Sequence, residues 1–225
     1  MKLAWQQLPS PVVSELLCQN NFDGVVLDLE HSCFDYETLF SCIQVISLNN
    51  KKCFVRLTDI DKTKIRYCLD SGAHGLIFST VEKLKQAKDA RQFSSFPKWG
   101  GKRGLGLVRQ NKWGKEDLLS EPPILIAQIE TKEGIENLKE IADTSVFDYY
   151  MLGPFDLSSS VGIPGDFLHK DYVSAIKFFD SIIPPNKRSV HIPRDIEKEL
   201  KKYSNYGIVA LGMDTISILN FYQEL

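Results

Sequence analysis

The chain has 225 residues, of which 43% are hydrophobic and 25% charged, and its formal net charge is −2. These values are ordinary for a globular protein and exclude a disordered chain, while the weak negative charge leaves no basic surface for nucleic acid or an anionic membrane. The length is near the lower end for an eight-fold α/β barrel, so we expect a single domain over residues 1–225.

Five cysteines, an odd number without a CxxC pair, predict reduced thiols rather than a disulfide framework. Most lie in apolar stretches, so we expect buried thiols at Cys18, Cys33, Cys42, Cys53 and Cys68. The start "MKLAWQQLPSP" has no apolar leader, and no run approaches the length of a membrane span. We therefore expect a soluble cytoplasmic protein.

Short β-rich apolar runs alternate with amphipathic stretches along the chain. The runs lie near residues 5, 27, 55, 77, 127, 151, 190 and 210. Alternation of strand and helix predicts a parallel sheet covered by helices, and eight strands are the number that a closed (β/α)8 barrel requires.

Helical spacing of apolar residues is clearest in three stretches between these runs. "PVVSELLCQNN" predicts a helix with Val13, Leu16 and Leu17 on one side, and "DKTKIRYCLDSG" and "TKEGIENLKEIAD" each predict one further helix. Residues 95–123 break the alternation and predict a long ordered loop with one short helix. Long loops in compact domains are often functional.

Polar residues follow several of the predicted strands where each strand ends. In a parallel barrel the loops after the strands build the active site, so these side chains are expected at one mouth. They are Asp28, Glu30, His31, Arg56, Gln128, Glu130, Asp156 and Asp214.

Each of these residues also has a simpler structural interpretation. Asp156 or Glu130 could cap the following helix, although Thr131 is the better cap in the second case. Arg56 could pair with a nearby carboxylate, and His31 could be a half-buried structural histidine. A soft-metal site at the neighbouring Cys33 is weakly indicated, because no second thiol accompanies it. The other histidines are interpreted as structural or exposed: His74, His169 and His191.

Taken together, the strand-end residues favour hard-metal chemistry. Glu130 and Asp156 supply carboxylate oxygens from neighbouring strands, which suits Mg²⁺ or Mn²⁺ completed by water and substrate. Arg56 offers a cation for a carboxylate or a developing enolate oxygen, and His31 can move protons near neutral pH. This combination suits enolate formation on a 2-oxo acid.

The chain resembles the HpcH/HpaI aldolase family, the metal-dependent class II pyruvate aldolases, nearly from end to end. The resemblance rests on "AWQQLPSPVVSELLCQNNFDGVVLDLEHS", "FVRLTDID", "LDSGAHGLIFSTV", "KRGLG", "QIETKEGIENLKEI", "MLGPFDLSSSVGIPGDFLH", "HIPRD" and "VALGMDT". It implies a (β/α)8 TIM barrel of the phosphoenolpyruvate/pyruvate type, a C-terminal helix exchanged between subunits, and a homo-oligomer, either a hexamer or a trimer of dimers.

The resemblance also implies roles for individual residues. Glu130 and Asp156 would be the metal ligands, for Mg²⁺ or Mn²⁺ with Co²⁺ as a further candidate. Arg56 would hold the pyruvate oxygen, and His31 would be the acid–base group with Asp70 as its orienting partner. Asp28 and Glu30 would support the metal-bound water and the charge balance of the site. Trp5 would lie near the entering aldehyde. Contacts with pyruvate would come from Gln128, Gly153, Pro154 and Phe155.

Three features depart from the family's usual pattern. Ser79 and Thr80 stand where Pro and an apolar residue are common, the stretch between Gly106 and Trp113 is short, and Phe155 replaces a smaller residue. These departures concern the choice of aldehyde more than the metal or the base.

The expected activity is reversible cleavage of a 4-hydroxy-2-oxo acid into pyruvate and an aldehyde. A second interpretation is an enolate-forming lyase or synthase whose partner is an oxo acid or acyl thioester. A third is a catalytically silent barrel that acts as a binding subunit, although such a barrel has no physical reason to keep His31, Arg56, Glu130 and Asp156 together.

Overall fold

A closed barrel of eight parallel strands forms the centre of the protein. The computed structural model describes residues 1–116 and 121–223. Each strand pairs with its neighbours in chain order, and the last pairs with the first. The strands are β1 (Lys2–Gln6), β2 (Gly24–Asp28), β3 (Lys52–Leu57), β4 (Gly75–Phe78), β5 (Ile124–Ile129), β6 (Tyr149–Leu152), β7 (Arg188–Ile192) and β8 (Ile208–Leu211). The predicted (β/α)8 barrel is confirmed.

Helices surround this barrel and return the chain from the end of one strand to the start of the next. In the described ranges they are α1 (Pro11–Cys18), α2 (Tyr36–Leu48), α3 (Lys62–Asp70), α4 (Leu84–Ser94), α5 (Lys132–Glu136), α6 (Leu138–Asp143), α7 (Pro154–Ser160), α8 (Lys170–Ile182), α9 (Ile196–Leu200) and α10 (Asp214–Gln223). None of these helices is long and apolar enough to cross a membrane.

The strands are apolar on both faces because each face packs against a different core. On β2, Val26 points into the barrel, where it meets Phe54 and Ile77, whereas Val25 and Leu27 pack outward against the helices. All five residues of β2 are buried. Continuous apolar runs of this kind are typical of parallel barrels.

Two of the helix predictions are wrong in detail. On α1, Leu16 is 61% exposed, and the buried residues are Ser14 and Cys18. The stretch predicted as one helix after β5 divides into α5 and α6 at Asn137, whose side-chain amide donates to the carbonyl of Glu82 at 2.8 Å. An Asn that bonds outside its own helix favours such a break.

The long loop between α4 and β5 lies at the amino-terminal end of the barrel strands. Arg109 in this loop donates to the carbonyl of Ser71, just after α3 ends, at 3.0 Å. In its described part the loop contains the short 3₁₀ turns Pro97–Trp99 and Arg109–Gly114 rather than one helix. The part of the prediction that covers residues 117–120 lies outside the described residues. Because active sites of such barrels form at the opposite end, the described loop does not line the predicted mouth.

The cysteines are free thiols, and burial raises the pKa of Cys18, Cys42, Cys53 and Cys68. Cys33 is exposed, so the prediction of burial is wrong for this residue. It lies in the loop after β2, beside the predicted site.

Candidate active site

Arg56 is held by two carboxylates at the carboxyl end of the strands. Its Nε and Nη2 atoms donate to Asp28 at 2.8 and 2.6 Å, and its Nη1 atom lies 2.7 Å from Oε2 of Glu30. The two hydrogen bonds to Asp28 and the ion pair with Glu30 occupy at most three of the five N–H donors of the guanidinium. Within the described residues at least two donors therefore remain for an oxygen of a ligand. Pairing with nearby carboxylates, the simpler interpretation of Arg56, is therefore compatible with anion binding.

Asp28 anchors this cluster and does not face solvent. Its side chain is fully buried and also accepts hydrogen bonds from Trp5 Nε1 at 3.3 Å and Gln7 Nε2 at 3.1 Å. Burial alone would raise the pKa of Asp28, but the hydrogen bonds and charge of Arg56 outweigh it and lower the pKa to about 2. Asp28 and Glu30 thus fix Arg56, and the expectation that they also support a water at the metal stays a prediction.

The indole ring of Trp5 packs against the guanidinium of Arg56. The guanidinium carbon lies 4.8 Å from the centre of the indole, and His191 stacks on Trp5 with ring centres 4.0 Å apart. Trp5 is 1% exposed, and its expected contact with an entering aldehyde stays a prediction. His191, interpreted from sequence as structural or exposed, is a structural residue, and its Nε2 pairs with the carbonyl of Gly212 at 2.8 Å.

His191 is expected to make stability depend on pH. Burial lowers the pKa of His191 from 6.5 to about 4. Between these pH values the imidazole is therefore protonated in the unfolded chain but neutral in the folded protein. The free energy of unfolding should therefore fall by about 3 kcal/mol between pH 6.5 and 4 through this group. His191→Phe keeps a ring stacked on Trp5 but removes the titrating group. Its free energy of unfolding, measured by denaturant titration at each pH, should lack this decrease. Equal slopes in wild type and variant would contradict it.

Glu130 lies across the mouth from this cluster and is also buried. Its Oε1 accepts from the amide and from the hydroxyl of Thr80, both at 2.7 Å, and Gln128 Nε2 donates to its Oε2. Burial raises the pKa of Glu130, and the negative charges of Glu30 and Asp156 raise it further against the hydrogen bonds from Thr80. Three acids, Glu30, Glu130 and Asp156, therefore share one mouth, and Glu30 is paired with Arg56.

Thr131 caps α5 by accepting from the amide of Gly134 at 3.0 Å, as predicted. Glu130 is accordingly not used as a helix cap.

The turn after β6 brings Asp156 to the same mouth. Asp156 lies in the first turn of α7 and is exposed. Gly153 precedes that helix, and a Cβ atom here would come within 2.7 Å of Glu130 Oε2 and 2.6 Å of its Cβ. Only glycine therefore lets the turn approach Glu130 so closely.

Phe155 and Pro154 occupy the first turn of α7 next to Asp156. Phe155 is 62% exposed, and its ring meets Phe167 edge to face at 5.1 Å. The predicted contact of these residues with pyruvate stays a prediction.

The acids at this mouth fit a small hard cation. In the described parts of the chain, no group of three or more His, Cys, Asp or Glu side chains has metal-ligand spacing. Asp28 and Glu30 are paired with Arg56, so Glu130 and Asp156 are the carboxylates considered for a metal. Mg²⁺ is commonly held by one or two carboxylates plus substrate and water. A cation here would favour the charged form of Glu130, against the burial and the neighbouring negative charges that raise its pKa. The oxygen-only set does not suit a soft metal.

His31 and Asp70, the expected acid–base pair, do not meet within the chain. The His31 side chain is 63% exposed at the mouth, and its Nε2 lies 3.7 Å from Oε2 of Glu30. Asp70 ends α3 at the opposite end of the barrel and binds Nη2 of Arg103 at 2.5 Å. The interpretation of His31 as a half-buried structural histidine is not supported.

Asp214, also expected among the strand-end residues of the mouth, has a structural role. It accepts hydrogen bonds from the amides of Gln7 and Leu8, both at 2.9 Å, and so ties the β1–α1 loop to α10.

Sequence reasoning about polar strand ends missed the contacts of Thr80 with Glu130 and of Gln7 with Asp28. Gln7 directly follows β1 and Thr80 is the second residue after β4. Their position after a strand end is the sequence feature that could have indicated them.

A family model and a curated relative both match nearly the whole chain. The family model for HpcH/HpaI aldolase/citrate lyase matches residues 3–220. A relative from Escherichia coli, 4-hydroxy-2-oxo-heptane-1,7-dioate aldolase, is 30% identical over 219 residues, covering 94% of this chain and 83% of the relative.

Solved structures share the fold. An HpcH/HpaI aldolase/citrate lyase family protein from Burkholderia cenocepacia J2315 has a TM-score of 0.88 and 23% identity, covering 100% of this chain and 92% of that one. The citrate lyase beta subunit from M. tuberculosis, solved with oxaloacetate and magnesium, has a TM-score of 0.59 and 14% identity, covering 94% of this chain and 90% of that one.

Proposed function

We propose that this chain, an aldolase-type carbon–carbon lyase that belongs to the HpcH/HpaI aldolase/citrate lyase family, cleaves a 4-hydroxy-2-oxo acid reversibly into pyruvate and an aldehyde. One observation carries the proposal. A buried arginine, with at least two N–H donors left free by the described residues, shares one barrel mouth with the carboxylates Glu130 and Asp156. An oxo acid needs both a cation and N–H donors at its oxygens when it becomes an enolate.

Glu130 and Asp156 would hold a divalent cation, Mg²⁺ or Mn²⁺. When bound, such a cation supplies a Lewis acid that makes the protons next to the ketone of a 2-oxo acid more acidic. Gln128 keeps Glu130 in place through its amide.

Arg56 would bind the oxygen on which negative charge develops. Asp28 and Glu30 fix the guanidinium from two sides, so its remaining donors need little rearrangement during the reaction. In the cleavage direction the C3–C4 bond breaks, its electron pair moves to the pyruvate half, and Arg56 stabilises the resulting enolate oxygen.

His31 would carry the protons. It removes the proton of the 4-hydroxyl group as the C3–C4 bond breaks. A proton then returns to C3 to give pyruvate. Glu30 lies within 3.7 Å of His31 and 2.7 Å of Arg56, so one carboxylate faces both the base and the oxyanion site.

The homo-oligomer expected from the resemblance is part of this proposal. Four large apolar side chains of α10 are each about half exposed or more: Ile218, Leu219, Phe221 and Tyr222. A helix with such a surface is typical of an interface. Since Asp70 and His31 lie at opposite ends of one barrel, their pairing would require a second copy. A monomer in sedimentation equilibrium would contradict this part.

A cleavage assay tests the proposed function. Purified protein with Mg²⁺ or Mn²⁺ should release pyruvate from 4-hydroxy-2-oxoheptanedioate, detected with lactate dehydrogenase and NADH. Prior removal of metal with EDTA should abolish release, and readdition should restore it, because Lewis-acid stabilisation contributes several kcal/mol. Full activity in EDTA, or none with any 4-hydroxy-2-oxo acid despite metal binding, would contradict the proposal.

A further inference from the structure

Thr80, the second residue after β4, has an unusual backbone conformation. Its φ is +52°, in the left-handed region. Residues branched at Cβ rarely adopt this conformation, and strain of this kind tends to occur at functional sites.

Three hydrogen bonds hold Thr80 in this conformation. The amides of Ser79 and Val81, on either side of it, donate to carbonyls of β3 and β5, both at 3.0 Å. The Gln86 side chain donates to the carbonyl of Thr80 at 2.9 Å. The two neighbouring strands and the first turn of α4 therefore determine where this residue points.

Both donors of Thr80 point to the same oxygen of Glu130. Its amide and its hydroxyl each lie 2.7 Å from Oε1. A carboxylate oxygen has about two lone-pair positions, so Thr80 fills both positions of Oε1. Oε2, which lies against Gly153, accepts only from Gln128 among the described residues and keeps one position open.

We propose that Thr80 sets the metal preference of the site by leaving Glu130 a single metal-binding atom, Oε2. This inference rests on the proposed function, since it takes Glu130 as a metal ligand. Ca²⁺ often takes both oxygens of one carboxylate, whereas the smaller Mg²⁺ is satisfied by one. Thr80 thus favours Mg²⁺ and Mn²⁺ over Ca²⁺ at this mouth.

A purely structural role does not account for the hydroxyl. In the described chain its only hydrogen bond is the one to Glu130. Glycine would fit the left-handed backbone with less strain and would still supply the amide. The hydroxyl therefore acts on the carboxylate rather than on the loop.

Competition binding tests the proposal without measuring activity. The affinity of the whole protein for Mn²⁺ is read from the electron paramagnetic resonance of free Mn²⁺, with Mg²⁺ or Ca²⁺ as competitor. Thr80→Val and Thr80→Gly both remove the hydroxyl, and Thr80→Gly also removes the strain. Each should raise the affinity ratio of Ca²⁺ to Mg²⁺ at least about tenfold, the scale of one hydrogen bond to a charged group. Thr80→Ser, which keeps the hydroxyl, should keep the wild-type ratio.

Other outcomes separate this inference from the proposed function. An unchanged ratio in both Thr80→Val and Thr80→Gly would overturn the role of Thr80, as would an equal loss of affinity for all three cations. Wild-type protein that binds no divalent cation would instead overturn the metal site, and with it the proposed function.

Discussion

Glu130→Gln is expected to lower kcat for aldol cleavage about 10³-fold, the equivalent of about 4 kcal/mol of transition-state stabilisation. The amide is neutral, and its NH₂ group would meet the N–H donors of Thr80 or Gln128, which now point at a carboxylate. The affinity for Mn²⁺ should fall in parallel, which direct titration measures.

Glu136→Gln is the matched control for this substitution. Glu136 is 62% exposed on α5 and lies 3.9 Å from Lys132, so neither kcat nor Mn²⁺ affinity should change. Wild-type activity in Glu130→Gln would show that the reaction does not depend on this carboxylate.

Asp28→Asn is expected to impair both activity and folding. The amide cannot accept both N–H groups of Arg56 and leaves a buried cation with Glu30 as its remaining acid. Removing one partner of a buried pair costs about 3–5 kcal/mol of the free energy of unfolding. We also expect kcat to fall at least about 10²-fold, because Arg56 loses its fixed orientation. Urea titration and steady-state kinetics measure the two effects.

The acid limb of the stability curve gives an independent check on Asp28. Its carboxylate, with a pKa of about 2 in the folded protein, stabilises the fold above the unfolded pKa of about 4. This stabilisation is lost as the pH falls to 2, so the difference between wild type and Asp28→Asn should shrink over that interval. Asp59→Asn, at an exposed pair with Lys64, should cost little of the free energy of unfolding at neutral pH. A difference that stays constant down to pH 2 would contradict the pairing.

The strands of the barrel are readable from sequence because burial on both faces leaves continuous apolar runs. β2 is an example, with five buried residues that end at Asp28. The strand-end rule also locates Arg56 and Glu130 at the mouth. It does not show that Asp28 lies directly opposite Arg56, because that contact depends on the register between β2 and β3.

Other features of the site depend on geometry that residue types do not encode. The left-handed backbone of Thr80 is unusual for threonine, so no local pattern predicts its two bonds to Glu130. The resemblance suggested that Asp70 orients His31, but a position in the sequence does not say whether two residues of a symmetric assembly belong to one copy. The structure places Asp70 beside Arg103, at the far end of the barrel.

The enolate-forming synthase remains the alternative closest to the proposed aldolase, because both require the same cation and the same arginine. They differ in the acceptor, whose contact with the exposed Phe155 beside Asp156 stays a prediction. Trials of aldehydes, oxo acids and acyl thioesters with pyruvate distinguish the two reactions. A silent barrel would use none of them.

The exchange of pyruvate methyl protons for deuterium, followed by proton NMR, tests most directly whether this mouth forms an enolate with a divalent cation. It needs no second substrate and so does not depend on identifying the aldehyde. We predict that the wild-type protein with Mg²⁺ exchanges these protons, that EDTA stops the exchange, and that added Mg²⁺ restores it. No exchange by protein that binds Mg²⁺, or the same exchange rate in EDTA, would contradict the account.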